Sequence, residues 1–353
     1  MAHRVFNFNP GPGTLPLEVL QQVQKELLDY KGTGMSIMES SHRSPEYDEI
    51  NNNTMALVHE LLGLGDDYKV VFLGGGASTQ FIMVPLNLLL EGQTAAYVDT
   101  GSWSSNAIKE AKLVGNVHVA GSSKEQKYSH IPRMSEISFP DDAAYLHITS
   151  NNTIFGTQYH EFPRTGRVPL VCDMSSDIAS RRLDFTRFSL IYAGAQKNLG
   201  PAGVTLVVIK KDLLAKSPGT LPTMLNYNTH ADKDSLFNTP PAFCVYVLGL
   251  VLQWIKKQGG LEAVEKVNFA KKERIYQLVD LHPDYFRGTV EPDSRSWMNL
   301  TMRLPSEDLE KKFLSEAKAA GFLGLKGHRS VGGIRVSLYN ALPLDGAEKL
   351  AAF

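Results

Sequence analysis

The sequence predicts an α/β chain: a large domain built on one mostly parallel sheet of seven strands, followed by a small α+β domain. Three observations lead there. Seven short apolar runs fall between positions 69 and 209. Several are apolar at both alternating positions, as in a sheet covered on both faces. Past position 209 the pattern changes to long helical spacings and then two further strands.

Taken in order, Ser44-Pro45 reads as a helix cap followed by a first-turn proline. Tyr47, Ile50, Thr54, Leu57, Val58 and Leu61 keep helical spacing, and Gly63 supplies the stop. The run 69–73 is a short buried strand that enters Gly74-Gly75-Gly76 and a helix from Ala77 to about Leu90. Six more strands are expected at 95–99, 117–120, 145–149, 169–173, 190–194 and 204–209. Helical patterns at 240–257 and 261–281 flank Gly259-Gly260, and the domain boundary is expected in the second of them. Strands at 297–304 and 333–338, with a helix at 306–320 between them, make the small domain.

Composition limits what such a chain does. Lys plus Arg is 36 against 37 for Asp plus Glu, a net charge of −1, which argues against nucleic acid or an anionic membrane as the main partner. At 353 residues with 43% hydrophobic content the chain folds, and it exceeds one usual core. Two cysteines, Cys172 and Cys244, cannot build a disulfide framework or a Cys-rich zinc site, and no metal is expected. No internal repeat suggests a solenoid. The opening MAHRVFNFNPGPGTLP has no apolar run of signal-peptide length, and no run approaches the ~20 residues of a membrane span. The chain is therefore read as cytoplasmic, and the Asn-x-Thr sequons at Asn52, Asn151 and Asn299 as chance.

Lys197 is the residue around which the chemistry is read. It stands on a tight polar connection between two buried strands. Alone, such a lysine is most simply a solvated cation. At the edge of a core, however, its pKa falls, and the neutral amine is the form that attacks an aldehyde. Asp173 ends the strand 169–173, and ligands of open α/β sheets sit at the carboxyl ends of strands, so the two can face one crevice. A lysine and a carboxylate so placed suit pyridoxal phosphate: the amine condenses with the aldehyde, and the acid keeps the ring nitrogen protonated. Gly74-Gly75-Gly76-Ala77-Ser78-Thr79 joins a strand to a helix start, a cradle for phosphate or merely a turn. It matches neither GxGxxG nor a Walker A loop. Trp103 follows a strand end and offers a stacking face, unless it is a core residue. His42-Arg43, His328-Arg329 and Arg335 are forked or paired cations suited to a small polyanionic substrate.

The segments NFNPGPGTLP, SHRS, GGGAS, TGSW, AGAQKNLGPAG and HRSVGGIRVSLYNAL, in this order over essentially the whole chain, resemble the phosphoserine aminotransferase family of class-V pyridoxal-phosphate enzymes. The resemblance implies the aspartate-aminotransferase-like fold (PLP fold type I), with a large domain at 16–262 and a small one formed by 1–15 and 263–353. It implies that Lys197 forms the Schiff base and that Gln196, Ala77 and Ser78 contact the cofactor phosphate. Asp173 pairs with the pyridine nitrogen, Trp103 stacks on the ring, and Thr153 bonds the ring hydroxyl. Asn238 and Thr239 reach the phosphate from the other subunit of a homodimer, so that the active sites lie at the subunit interface. His42, Arg43, His328 and Arg329 hold the substrate phosphate or side-chain carboxylate, and Arg335 the α-carboxylate. Some members carry Arg where Ser78 stands, which leaves backbone N–H groups and the helix dipole to meet the phosphate here. The implied reaction is ping-pong amino transfer between glutamate and 3-phosphohydroxypyruvate, giving 2-oxoglutarate and O-phosphoserine. Phosphohydroxythreonine, a substrate in pyridoxine synthesis, stays open. A class-V enzyme for unphosphorylated substrates does not need the His/Arg set. A cysteine desulfurase needs a reactive loop cysteine, which neither Cys172 nor Cys244 offers.

Overall fold

The computed structural model describes residues 4–353. Its central sheet has seven strands: β1 (Tyr68–Leu73), β2 (Thr94–Asp99), β3 (Asn116–Ser122), β4 (Leu146–Thr149), β5 (Leu170–Asp173), β6 (Leu190–Gly194) and β7 (Thr205–Lys210). Their order across the sheet is β1-β7-β6-β5-β4-β2-β3. β7 is antiparallel to both neighbours, and every other pairing is parallel. Six strands therefore run the same way and end on one edge.

The double-sided apolar pattern has a direct cause. Odd and even positions of every strand but the largely exposed edge strand β3 enter two different cores. Val70, Phe72, Ile148, Cys172, Ile191 and Val208 pack with helices α2 (Pro45–Leu62) and α5 (Ala242–Lys257). Val71, Tyr97, Val171, Tyr192 and Val207 pack with helices α3 (Gly76–Leu88) and α4 (Ser102–Ala111). Helix α2 is bounded as its sequence dictates: the Ser44 side chain accepts from the Tyr47 N–H, and Gly63 closes the helix in the left-handed region at φ 62°. Helix α1 (Leu17–Glu26) lies against α5.

A third core gathers Phe8 with residues from Ile275 onward. It is built on β8 (Arg287–Gly288), β9 (Asn299–Arg303) and β10 (Ile334–Ser337), an antiparallel three-stranded sheet, with α7 (Glu307–Ala319) and α8 (Leu344–Ala352). The amino-terminal Phe6–Asn7 pairs in parallel with Phe322–Leu323, tying the chain's start to this unit. Helix α6 (Gly260–Leu281) serves both sides: Leu261 and Val264 join the first core, Ile275 and Val279 the third. A buried polar layer lies where the two units meet. Asn151 Nδ2 donates to Ser176 Oγ (2.8 Å) and Asn299 Oδ1 (2.8 Å), and Asn299 Nδ2 donates to Ser337 Oγ (2.9 Å). Two of the three sequon asparagines are thus sealed inside the protein.

Candidate active site

At the common strand edge lies a cleft of about 560 Å³. Lys197 enters it from the connection between β6 and β7. That connection is held from below by Asn198, whose Nδ2 donates to Ser176 O (3.3 Å) and Ile178 O (3.2 Å). From above it is held by the amino-terminal loop, where Gly13 N donates to Gln196 O (2.7 Å). A Cβ at Gly13 would lie 2.8 Å from the Tyr339 ring and 3.0 Å from Lys197 O, so only glycine lets the loop pass so close. Burial lowers the Lys197 pKa, the Asp173 charge opposes that, and Arg335 adds to the lowering.

Asp173 ends β5 and is buried. One carboxylate oxygen accepts from the Ser175 N–H at 2.9 Å. Burial raises its pKa, against the pull of Lys197 and the Ser175 bonds. Thr149 stands beside it in register on β4, and the Thr149 hydroxyl is buried with no partner. Arg335, on β10, donates from one terminal nitrogen to Thr153 O at 2.8 Å, while its Nε is buried and unpartnered. Unmet polar atoms lining one cleft are the mark of a polar ligand's place.

The Trp103 ring stands in the first turn of α4, its centroid 5.8 Å from Lys197 Nζ. The indole N–H donates to Thr153 Oγ1 at 3.0 Å, which leaves the threonine hydrogen free to donate elsewhere. Gly75 precedes α3 at φ 87° and caps it without a side chain, so the first N–H groups of the helix lack intrahelical partners. A Cβ at Gly75 would sit 2.0 Å from Thr79 Oγ1, so this turn too requires glycine. Gly76, Ala77 and Ser78 line the cleft beside it.

Of the residues singled out in the sequence, the cleft is lined by Ala77, Ser78, Trp103, Thr153, Asp173, Gln196, Lys197, His328 and Arg335. His42, Arg43, Arg329, Asn238 and Thr239 are not in its lining. His42 is buried with Nε2 unpartnered, Arg43 is exposed, and Asn238 and Thr239 are exposed ahead of α5. The sequence assigns no site role to Thr149, Asn151, Ser175, Ser176 or the Pro10-Gly11-Pro12 loop, although that loop belongs to a segment that carries the family resemblance. The loop had a signal in its proline–glycine repeat; the hydroxyls had none. A larger groove of about 720 Å³ between α1, α2 and α5 shares no residue with the cleft and has no such convergence.

An amine of lowered pKa, a buried carboxylate, an aromatic face and a helix start with free N–H groups fit a phosphorylated pyridine aldehyde. The class-V aminotransferase family model matches residues 5–350. The chain is 55% identical over 353 residues to the phosphoserine aminotransferase of Lysinibacillus sphaericus, covering 100% of this chain and 98% of that one. The chain belongs to the phosphoserine aminotransferases. The phosphoserine aminotransferase of Bacillus circulans subsp. alkalophilus superposes with a TM-score of 0.98 at 55% identity, over 99% of this chain and 97% of that one. The PLP-bound phosphoserine aminotransferase of Trichomonas vaginalis does so with a TM-score of 0.94 at 33% identity, over 99% of both. This family's fold is thus the α/β architecture described above, with its mostly parallel seven-stranded sheet.

Proposed function

We propose that the cleft transfers an amino group reversibly between glutamate and 3-phosphohydroxypyruvate, giving 2-oxoglutarate and O-phosphoserine. The observation that carries the reading is Lys197, Asp173 and Trp103 lining one cleft beside the glycine turn of α3. Pyridoxal 5′-phosphate, the cofactor, supplies an aldehyde and an electron-withdrawing ring when bound. Lys197 Nζ, whose burial favours the neutral amine, is the group that would take the proton from the substrate α-carbon and return one as the amino group is transferred. Asp173, with one oxygen not held by Ser175, would pair with the cofactor's ring nitrogen and favour its protonated form. Trp103 would stack on the cofactor ring, and the Thr153 hydroxyl, with its hydrogen free, would donate to the ring hydroxyl.

The N–H groups at Gly76, Ala77 and Ser78, with the positive end of α3 and Gln196, bind the cofactor phosphate. Arg335 takes the substrate α-carboxylate. His328 with Arg329, and His42 with Arg43, take the distal phosphate or carboxylate, since both anions accept forked donors. Asn238 and Thr239 are exposed, as residues must be that reach the phosphate in the other subunit of a homodimer. Among the described residues no helix is long and apolar enough to cross a membrane, and both thiols are unpaired, which suits a cytoplasmic enzyme.

The deciding experiment compares glutamate-driven amination of phosphorylated and unphosphorylated hydroxypyruvate. A higher kcat/KM for the phosphorylated acceptor is expected, and equal values would defeat the substrate reading. In the same assay Lys197→Ala should lower kcat by at least ~10²–10⁴-fold, the range for a lost acid–base group. Parental turnover in that variant would remove Lys197 from the reaction.

A further inference from the structure

The turn that presents Trp103 is built around a carboxylate with no role in the chemistry above. Asp99 closes β2 and is 8% exposed. Its Oδ1 accepts from Ser104 Oγ (2.9 Å) and Ser105 Oγ (2.8 Å), and its Oδ2 accepts from the Tyr128 hydroxyl (3.1 Å). All three partners are neutral hydroxyls. Ser104 Oγ in turn accepts from Thr100 N (2.9 Å) and Gly101 N (3.0 Å), the two amides that lead into α4.

A serine hydroxyl has one hydrogen and two lone pairs. Ser104 Oγ also lies 2.8 Å from Gly101 O, so two acceptors compete for that hydrogen. The ionised carboxylate is the stronger acceptor and takes it. The lone pairs are then left facing the two amides. The charge on Asp99 thereby decides how the Thr100-Gly101 turn is held, and Trp103 follows two residues later. The turn has little freedom on its other side. A Cβ at Gly101 would lie 2.9 Å from Asn152 Oδ1 and 3.1 Å from the Phe155 ring, and that ring packs on Tyr128 with centroids 4.7 Å apart.

We propose that Asp99 is a positioning residue for the cofactor: through Ser104 it holds the Thr100-Gly101 turn and so sets the plane of the Trp103 ring over the cleft. The inference rests on the stacking role of Trp103. A carboxylate near a helix start also steadies the helix generally. A role of that kind alone would not depend on the indole.

The test uses the full-length protein and the variants Asp99→Asn, Ser104→Ala and Trp103→Ala, with Asp99→Asn also made in the Trp103→Ala background. Ser104→Ala breaks the relay while leaving the carboxylate, so it serves if Asp99→Asn fails to fold. Three quantities are read: hydrogen exchange at the Thr100 and Gly101 amides, the dissociation constant of pyridoxal 5′-phosphate, and the visible-band circular dichroism of the bound cofactor. Asp99→Asn and Ser104→Ala should speed exchange at both amides, weaken the cofactor by roughly 5- to 30-fold and reduce its dichroism. In the Trp103→Ala background, Asp99→Asn should change affinity by less than about twofold. Unchanged exchange, or the same loss of affinity in both backgrounds, overturns the positioning role. A weakened Trp103→Ala beside an unaltered Asp99→Asn overturns it alone, whereas a Trp103→Ala that binds as tightly as the parent overturns the stacking role and the inference with it.

Discussion

His328 shows how a single side chain in this cleft is tuned by charges on its own loop and on the strand that follows it. Partial burial lowers its pKa, and the charges of Arg335 and then Arg329 lower it further. The free protein therefore holds it neutral at pH 7, below the ordinary value near 6.5. A substrate phosphate placed beside it reverses the sign, because an anion favours the imidazolium. Binding then takes up a proton, and the histidine's contribution fades as pH rises through the bound-state pKa. The substrate's own phosphate also titrates, near ~6, but it does so equally for every variant. The ratio of kcat/KM for phosphohydroxypyruvate between wild type and His328→Gln should fall from pH 6 to pH 8, and a flat ratio would exclude contact with the phosphate. At this scale the sequence is legible where chemistry needs an unusual residue type at a strand end, as with Lys197, Asp173 and Trp103. It is silent for Thr149, Ser175 and Asp99. Their meaning lies in a rotamer or a neighbouring strand's register, and neither leaves a trace in hydrophobic spacing.

Elements divide in the same way. The sheet strands are readable because all but the largely exposed edge strand β3 feed two cores, which makes both alternating faces apolar. The reversal of β7 was not, since a hydrophobic pattern has no direction. It follows instead from the short connection past Lys197, which can join only antiparallel neighbours. Helix α4 also escaped notice, its start being set by Gly101 and the Ser104 hydroxyl rather than by apolar spacing. Helix α6 carries a feature no periodicity announces. Lys271 is fully buried and donates to Leu338 O (3.0 Å), Tyr339 O (2.8 Å) and Leu342 O (3.0 Å), fastening the helix to the bend after β10. Burial pushes its pKa down from 10.5 to about 7. The ammonium can make all three bonds and the neutral amine two; between those values the native side chain has given up that third hydrogen while the unfolded chain keeps its proton, so stability rises with pH across the window. The slope is at most about 1.4 kcal/mol per pH unit. Urea midpoints of wild type should therefore gain on those of Lys271→Met from pH 7 to pH 10, and a constant gap would show the amine unshifted.

For the whole molecule, the question is which parts of the chain make one working cleft. The third core joins Phe8 to residues beyond 274, and α6 contributes to two cores, so we propose a large domain at 16–262 and a small one formed by 1–15 and 263–353, of which 1–3 lie outside the described residues. The cleft draws on both, with Lys197 and Asp173 from one and His328 and Arg335 from the other. Yet Asn238 and Thr239 lie outside it, exposed, on the approach to α5. We propose that Asn238 and Thr239 serve the cleft of a second chain, so that a homodimer is a functional requirement rather than a packing outcome. This is open to complementation. A Lys197→Ala chain has no amine, and a chain carrying Asn238→Ala with Thr239→Ala lacks its loop contacts. Co-expressed with different tags and purified as the mixed dimer, the two leave one site with an intact lysine and an intact loop from its neighbour, provided the loop works across the interface. The mixed dimer should then recover turnover and cofactor retention that neither parent dimer has. If the loop served its own chain, every site in the mixed dimer would carry a lesion, and no recovery would be seen.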